Sequence, residues 1–358
     1  MLNYILKKIG YGVLVIFGVV TLVFFLFNIL PGDPARMMLG QRADEKSVEI
    51  IHKDLGLDKP LTVQYLNYLN DLAPISFHST LPTSNYYLDN TKYVSYTTLV
   101  KTKTKAVVLK KPYLRRSYQS KRAVSDILAE AFPNTIILAL TSIIFAFIIG
   151  VILGSFSSLY ANTWVDRCIQ FLTSIGMSLP SFFAAIIIAW LFAFVLSEYT
   201  GLSMFGSLYV VDELGKGEHL CLKNLILPTL TLGIRPLAVI TELTKATLLD
   251  VYSQDFIRTA KAKGLNNRQI IWRHALKNAL NPVVTAVSGW FASLIAGAVF
   301  VEYIFDWKGI GVVIVDSLEK YDFPVVMGAL LVVCVLLILI NIITDIFYGI
   351  LDPRVRVK

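Results

Sequence analysis

The chain is short of charge and of the residues that carry most enzyme chemistry. Of its 358 residues only 16% are Asp, Glu, Lys or Arg, with three cysteines and four histidines. A globular sequence is nearer a quarter charged, so a soluble core is excluded. Cys168, Cys221 and Cys334 make an odd number, two of them in apolar runs, and no disulfide framework follows. His219 and Cys221 have one residue between them, but no second pair at ligand spacing joins them, and no metal site is assigned. His52, His78 and His274 are scattered, as packing or hydrogen-bonding residues are. A phosphate-binding loop is missing: Lys216 follows Gly215, yet Gly217 stands where Ser or Thr belongs and Val210 where the first glycine belongs. There is no nucleophile elbow and no HExxH pair. The chain is therefore read as neither an enzyme nor a cofactor carrier.

What it has is apolar length. Hydrophobic residues make up 55% and the mean hydropathy is +0.63. The runs Ile9–Leu30, Thr135–Tyr160, Cys168–Ser197, Pro282–Val301 and Val325–Ile343 hold no charged residue. A sixth, Leu225–Leu249, holds only Arg235, Glu242 and Lys245. Each reaches the roughly 20 residues that span a hydrocarbon core of about 30 Å. Runs this long must satisfy their backbone internally as helices, being far beyond a barrel strand. The sequence predicts an all-α membrane protein with six transmembrane helices. Lys7 and Lys8 give the first run a positive start, but it outruns a signal-peptide core of about 7 to 15 residues, and Pro31-Gly32-Asp33-Pro34 replaces a cleavage site. It is expected to stay as the first helix.

The organisation expected is a first helix over 1–30, a long extracytoplasmic insertion over 31–133, a five-helix core over 134–352 containing a cytoplasmic loop at 250–281, and a tail at 353–358. Lysine and arginine in short loops set the orientation. Lys7, Lys8, Arg167, the 250–281 loop and Arg354, Arg356 and Lys358 fall on one side, while the acid-rich 198–224 and 302–324 segments fall on the other, so both termini are expected in the cytoplasm. The 31–133 segment is basic, with nine Lys and Arg between Lys101 and Arg122, but long loops translocate largely regardless of charge. Within it Ser47–Leu55 and Pro60–Leu72 read as short helices, and Tyr93–Leu109 as a hairpin. This insertion reads as solvated, or as touching a partner or lipid headgroups.

The stretch from Ser253 to Asn278 is the most informative. Ser253 or Asp255 can cap a short helix through Lys263, Gly264 can end it in the left-handed conformation, and Asn266 or Asn267 can cap the next. Ile270, Ile271, Leu276 and Leu280 can face a bundle, while small Ala260 and Ala262 lie beside Arg258, Lys261 and Lys263. A basic rim with small residues suits an acidic protein surface. It equally suits anionic lipid. Tethering to membrane spans at both ends argues against nucleic acid.

Arg258, Thr259, Ala260 and Gly264 stand where the cytoplasmic coupling loop, or EAA loop, of permease subunits in bacterial ATP-binding-cassette importers has its Glu-Ala-Ala and its glycine, and the segment resembles that loop. Arg258-Thr259-Ala260-Lys261-Ala262-Lys263-Gly264-Leu265, then His274–Ala279 and Pro282, is similar to the dipeptide, oligopeptide and nickel permease family. The likeness extends to Pro31–Pro34, Leu55–Pro60, Pro133-Asn134-Thr135, Asp166-Arg167, Ser178–Phe183, Leu227-Pro228-Thr229, Gly297–Glu302 and Asp352-Pro353-Arg354. The resemblance implies a bacterial inner-membrane permease that pairs with a sister permease as a heterodimer. It also implies two cytoplasmic ATPases gripping residues 258–265 and an extracytoplasmic solute-binding protein. ATP hydrolysis would stay with the ATPases.

This chain departs from the general pattern at Arg258, where the motif has Glu, at Glu242 and Lys245, where relatives commonly show Arg, and in the length of its basic 76–115 stretch. Arg235, flanked by Pro228 and Pro236 well inside a span, is a candidate for the translocation path, because a charge there needs a wet cavity or a partner. A helix end, or pairing with Glu242, would also satisfy it. Glu302 is a second candidate, at the outer mouth or as an interfacial anchor. The solute implied is a dipeptide or oligopeptide, with nickel or a nickel chelate as the rival. An ion-coupled carrier is disfavoured by the few ionisable groups in the spans and the lack of an inverted repeat.

Overall fold

The structure is a computed structural model and describes residues 2–29, 33, 35–36, 44–81, 84, 86–89, 92–93, 95–211 and 217–351. Pro31, Gly32, Pro34, Asp212, Glu213, Lys216 and the tail from Asp352 lie outside these. In chain order the elements are α1 (Leu2–Ile29), α2 (Glu45–Leu55), α3 (Leu61–Leu72), strands β1 (Ile75–Ser79), β2 (Tyr96–Lys101) and β3 (Lys105–Lys110), and then α4 (Val124–Leu159). After them come α5 (Trp164–Ser178), α6 (Ser181–Ile188) with a wider π-type continuation Ala189–Val195, α7 (Ser197–Thr200), β4 (Tyr209–Val211) and β5 (Glu218–Leu220). The chain finishes with α8 (Lys223–Tyr252), α9 (Asp255–Ala262), α10 (Asn267–Ile270) with a π-type stretch Ile271–Ala275, α11 (Leu276–Phe305), α12 (Ile310–Glu319) and α13 (Phe323–Leu351).

Among the described residues, five helical stretches are long and apolar enough to cross a bilayer: Lys7–Asn28, Val124–Leu159, Lys223–Tyr252, Arg268–Phe305 and Phe323–Ile346. The Cys168–Ser197 run, expected as one helix, is instead a pair, α5 and the α6 stretch, bent by 113°. The break is chemical. Pro180 has no N–H to continue the helix and its ring forces Leu179 out of the helical region, to φ −76 and ψ 129. Six spans result only if this bent pair is counted as one. A second difference lies at α4, which begins at Val124 rather than at Thr135 and runs through Pro133. Over its 36 residues it is about 54 Å long, more than a bilayer core requires.

Two units are distinguished by their contacts: Met1–Ile9 with Ala131–Val312 and Val335–Lys358, and Gly10–Glu130 with Val313–Cys334. In the first, α8 is flanked by α5 and α11 and approached by α4. A Cβ on Gly154 of α4 would lie 2.6 Å from the Thr241 carbonyl and from Thr244, so the two backbones meet where a side chain is missing. Close packing over small residues is how helices hold together in lipid, where burial alone offers no driving force.

In the second unit, Phe24 stacks on Tyr68 of α3 with ring centroids 5.6 Å apart, and Phe27 meets Phe323 at 5.1 Å. The helices expected at 47–55 and 60–72 are present as α2 and α3, the first ending at Gly56 in the left-handed conformation, φ +69. The expected hairpin is β2–β3. It carries a third strand that periodicity did not show, giving the antiparallel order β1-β3-β2 with Phe77 opposite Val107 and Thr97 opposite Leu109. Ser76, His78, Ala106, Val108 and Lys110 face inward.

Candidate functional site

The segment after α8 forms the helix–turn–helix that the sequence predicts, with a different N-cap on its first helix. Ser253 still has helical dihedrals, and its hydroxyl donates back to the Asp250 carbonyl at 2.7 Å. Asp255 already lies inside α9 and accepts from Arg258 at 3.3 Å. The N-cap is therefore Gln254, in extended conformation and without a side-chain cap. Gly264 takes φ +78, and the Leu265 N–H reaches back to the Ala260 carbonyl at 3.3 Å. Asn266 caps the next helix: its Oδ1 accepts from the Gln269 N–H at 2.8 Å, and Gln269 Oε1 accepts from the Asn266 N–H at 3.2 Å. That reciprocal pair satisfies two N–H groups at a helix start.

Ile257, Ile270, Ile271, Ala275 and Leu276 are buried, and Leu280 is half-buried, so the bundle-facing side of the second helix is as expected. Ala260 is not on the open side as expected. Three residues after Ile257, it shares the inner face and is only 6% exposed. Arg258, Thr259, Lys261, Ala262, Lys263 and Gly264 are exposed, and Leu265 is half-buried. Arg268, Gln269, Trp272 and Arg273 line a shallow hollow of about 320 Å³ beside them. The result is a rigidly seated, cationic surface with one exposed tryptophan.

Arg235 lies on α8 between two prolines, exposed, at the edge of a small hollow of about 60 Å³ shared with Leu179, Ser181, Trp290, Ser293 and Gly297. Among the described residues no acid pairs with it, Glu242 included. Lys245 instead donates to Asp166 of α5 at 2.6 Å, and Asp166 also accepts from the Ser157 hydroxyl at 2.5 Å and the Asn162 N–H at 3.0 Å.

Glu302 is wholly buried, its carboxylate turned toward the turn that follows α11. Its carboxylate accepts from the Gly311 N–H at 2.6 Å, and its carbonyl from the Trp307 N–H at 2.8 Å. The same turn is held from α4. Trp307 Nε1 donates to the Asn134 carbonyl at 2.9 Å, the Asn134 amide to the Lys308 carbonyl at 2.8 Å, and the Ile310 N–H to the Thr135 hydroxyl at 2.8 Å. Two motifs noted in the sequence, Pro133-Asn134-Thr135 and Gly297–Glu302, therefore meet over one turn.

Residues 146–357, which contain the helix–turn–helix, Arg235 and Glu302, match the family described as binding-protein-dependent transport system inner membrane component. The chain belongs to that family. Residues 1–84 match the N-terminal component of the same transport systems, leaving 85–145 between the two matches. The permease is 32% identical to the glutathione transport system permease protein GsiC of Escherichia coli, over all of both chains. It is equally identical to the dipeptide transport system permease protein DppB of Alkalihalophilus pseudofirmus, over 99% of this chain and 100% of that one. It is also 32% identical to the di/tripeptide transport system permease protein DppB of Pseudomonas aeruginosa, over 99% of each. In fold it is similar to a chain of the MetNI methionine ABC transporter solved in inward-facing conformations, with TM-score 0.51 and 17% identity over 64% of this chain and 97% of that one.

The protein is thus a permease subunit of an ATP-binding-cassette importer, a multi-pass protein of the bacterial inner membrane. Sequence reasoning missed the Asp166–Lys245 pair and the turn built on Glu302, Asn134 and Trp307. Their residues stand out as motifs, but nothing in the spacing says that positions 79 or 173 residues apart will bond.

Proposed function

We propose that this permease imports short peptides, paired with a sister permease as a heterodimer, with an extracytoplasmic binding protein delivering the solute and two cytoplasmic ATPases gripping the 253–280 surface. The observation that carries the reading is the mounting of that surface. Arg258, Lys261 and Lys263 are exposed on a short helix whose Ile257 is wholly buried, so a pull on the rim reaches the bundle through packed side chains. The relatives named above supply the solute class: glutathione, dipeptides and di/tripeptides are all short peptides.

On this reading both termini and the 250–281 loop are cytoplasmic, 1–30 is the first span, and the segment from 31 to the start of the second span is outside. Arg235 borders the path, where its unpaired guanidinium would suit a peptide carboxylate. Glu302 acts on the path by fixing the turn at its end. The test is ATP-dependent uptake of a labelled dipeptide by vesicles holding the whole transporter, with a nickel chelate as competitor. Uptake that needs ATP and ignores nickel supports the proposal. Uptake by the permease alone under an ion gradient, or of nickel alone, overturns it.

A further inference from the structure

Within the second unit, residues of α2, α3 and β1 together with Tyr86, Tyr87, Asp89, Lys92, Tyr93 and the segment Tyr113–Tyr118 line a cavity of about 670 Å³. That is the size of a small-molecule site, roughly 300–1,000 Å³. Its walls carry five tyrosines and five Lys or Arg against two acids, Asp71 and Asp89. Asp71 is buried and committed to the protein: it accepts from Lys92 Nζ at 2.8 Å, the Tyr93 hydroxyl at 2.6 Å and Arg115 Nε at 3.4 Å. Its role is to hold cations at the wall. Lys92 is fixed further by the Tyr93 and Tyr113 rings, 5.1 and 5.2 Å from its Nζ. Lys53 is paired with Glu49 outside the lining, but the cations still outnumber the acids, and Lys92 and Arg115 are already held in place, which lowers the cost of binding an anion.

His78 is 3% exposed and forms part of the cavity wall. Its Nε2 lies 2.9 Å from the Ser76 hydroxyl and the ring also meets the Tyr86 carbonyl, so His78 belongs to the wall's own hydrogen-bonded framework. Burial and the nearby Lys110 and Lys92 keep the imidazole neutral by lowering its pKa.

We propose that this cavity binds carboxylate-bearing solutes of dipeptide to tripeptide size, with Lys92 and Arg116 taking the carboxylate and the tyrosine rings taking the side chains. The choice of peptides as carriers of the carboxylate rests on the transport reading; the preference for a carboxylate does not.

Calorimetric titration of the full-length protein in nanodiscs tests it, with alanyl-phenylalanine, its C-terminal amide and inorganic phosphate as probes. The free acid should bind, the amide about tenfold more weakly or worse, for loss of a charge-assisted contact, and phosphate not measurably. Arg116→Glu, at an exposed rim position, should weaken the free acid by a similar factor while circular dichroism stays unchanged; Tyr87→Ala should do so to a smaller extent. Equal binding of acid and amide, phosphate binding as tight as the dipeptide, wild-type affinity in both variants, or no binding at all by folded protein overturns the site. The two proposals separate: ATP-driven peptide uptake without binding that responds to Arg116→Glu sinks the site alone, and responsive binding without peptide uptake sinks the transport reading alone.

Discussion

Lys245 of α8 places its Nζ 2.6 Å from Asp166 of α5, where Asp166 also closes the turn between α4 and α5 through Ser157 and Asn162. Both ends of the pair are largely withdrawn from solvent. Removing one member of a buried, hydrogen-bonded ion pair strands the other, at a cost of about 3–5 kcal/mol. Asp166→Ala and Lys245→Met should each lower the thermal midpoint of the detergent-solubilised protein strongly. Lys245→Arg, which keeps the charge, should restore most of it. Equal midpoints for Lys245→Met and wild type would show that the pair carries no weight.

The Glu302 turn makes a sharper prediction, because its cause is steric. A Cβ on Gly309 would lie 2.4 Å from the Glu302 carboxylate, and one on Gly311 2.5 Å from the backbone of Val299. Gly309→Ala should therefore cost about 1–3 kcal/mol, as overpacking does. In a Glu302→Ala background most of that extra cost should disappear, since the clashing group is gone. A double-mutant cycle on unfolding midpoints measures the coupling. Gly311→Ala should show less rescue, its nearest neighbour being backbone.

What the sequence made legible was local. The end of α2 at Gly56 and the turn at Gly264 depend on one residue's access to positive φ, and α3 and the β2–β3 hairpin on short-range pattern. Hydropathy hid the rest. It ran Cys168–Ser197 together although Pro180 was in plain view, because a proline adds nothing to an apolar average. It also starts the second run at Thr135, past Pro133 and Asn134, whereas the helix already begins in the polar stretch at Val124. Ala260 follows its phase relative to Ile257, not its small size, and shares the inner face. The Asp166 and Glu302 networks join residues whose partners only the folded chain brings together.

Four tyrosines of the second unit give a pH test. Burial raises the hydroxyl pKa of Tyr68, Tyr93, Tyr113 and Tyr118, with Asp71 adding to the rise for the first three. An unfolded tyrosine ionises near pH 10. Above that pH the unfolded chain sheds protons that the folded chain keeps, so stability is full below about pH 10 and falls as pH rises past it. Lys110 acts oppositely. Burial lowers its pKa to about 8, so the unfolded state holds more protons between there and its ordinary range, and stability rises with pH across that window. Absorbance titration of tyrosinate should leave these rings un-ionised until the protein unfolds. Lys110→Met should remove the rise above pH 8 and leave the fall above pH 10.

Gly264 separates conformation from contact. Among the described residues, its two chain neighbours aside, no atom lies within 4 Å of a Cβ built there, and the demand for glycine comes from φ +78. A left-handed residue with a Cβ costs about 1–2 kcal/mol, less for Asn. Gly264→Asn should leave folding and ATP-driven uptake close to wild type if the backbone turn is all that matters. Gly264→Val adds both strain and bulk at an exposed position beside Lys263, and should abolish uptake. If an ATPase surface packs on the turn, Gly264→Asn will also lose uptake while its thermal midpoint holds. Comparing the midpoint with the uptake rate for both variants therefore reads whether this turn is shaped for the chain's own fold or for the partner that presses on it.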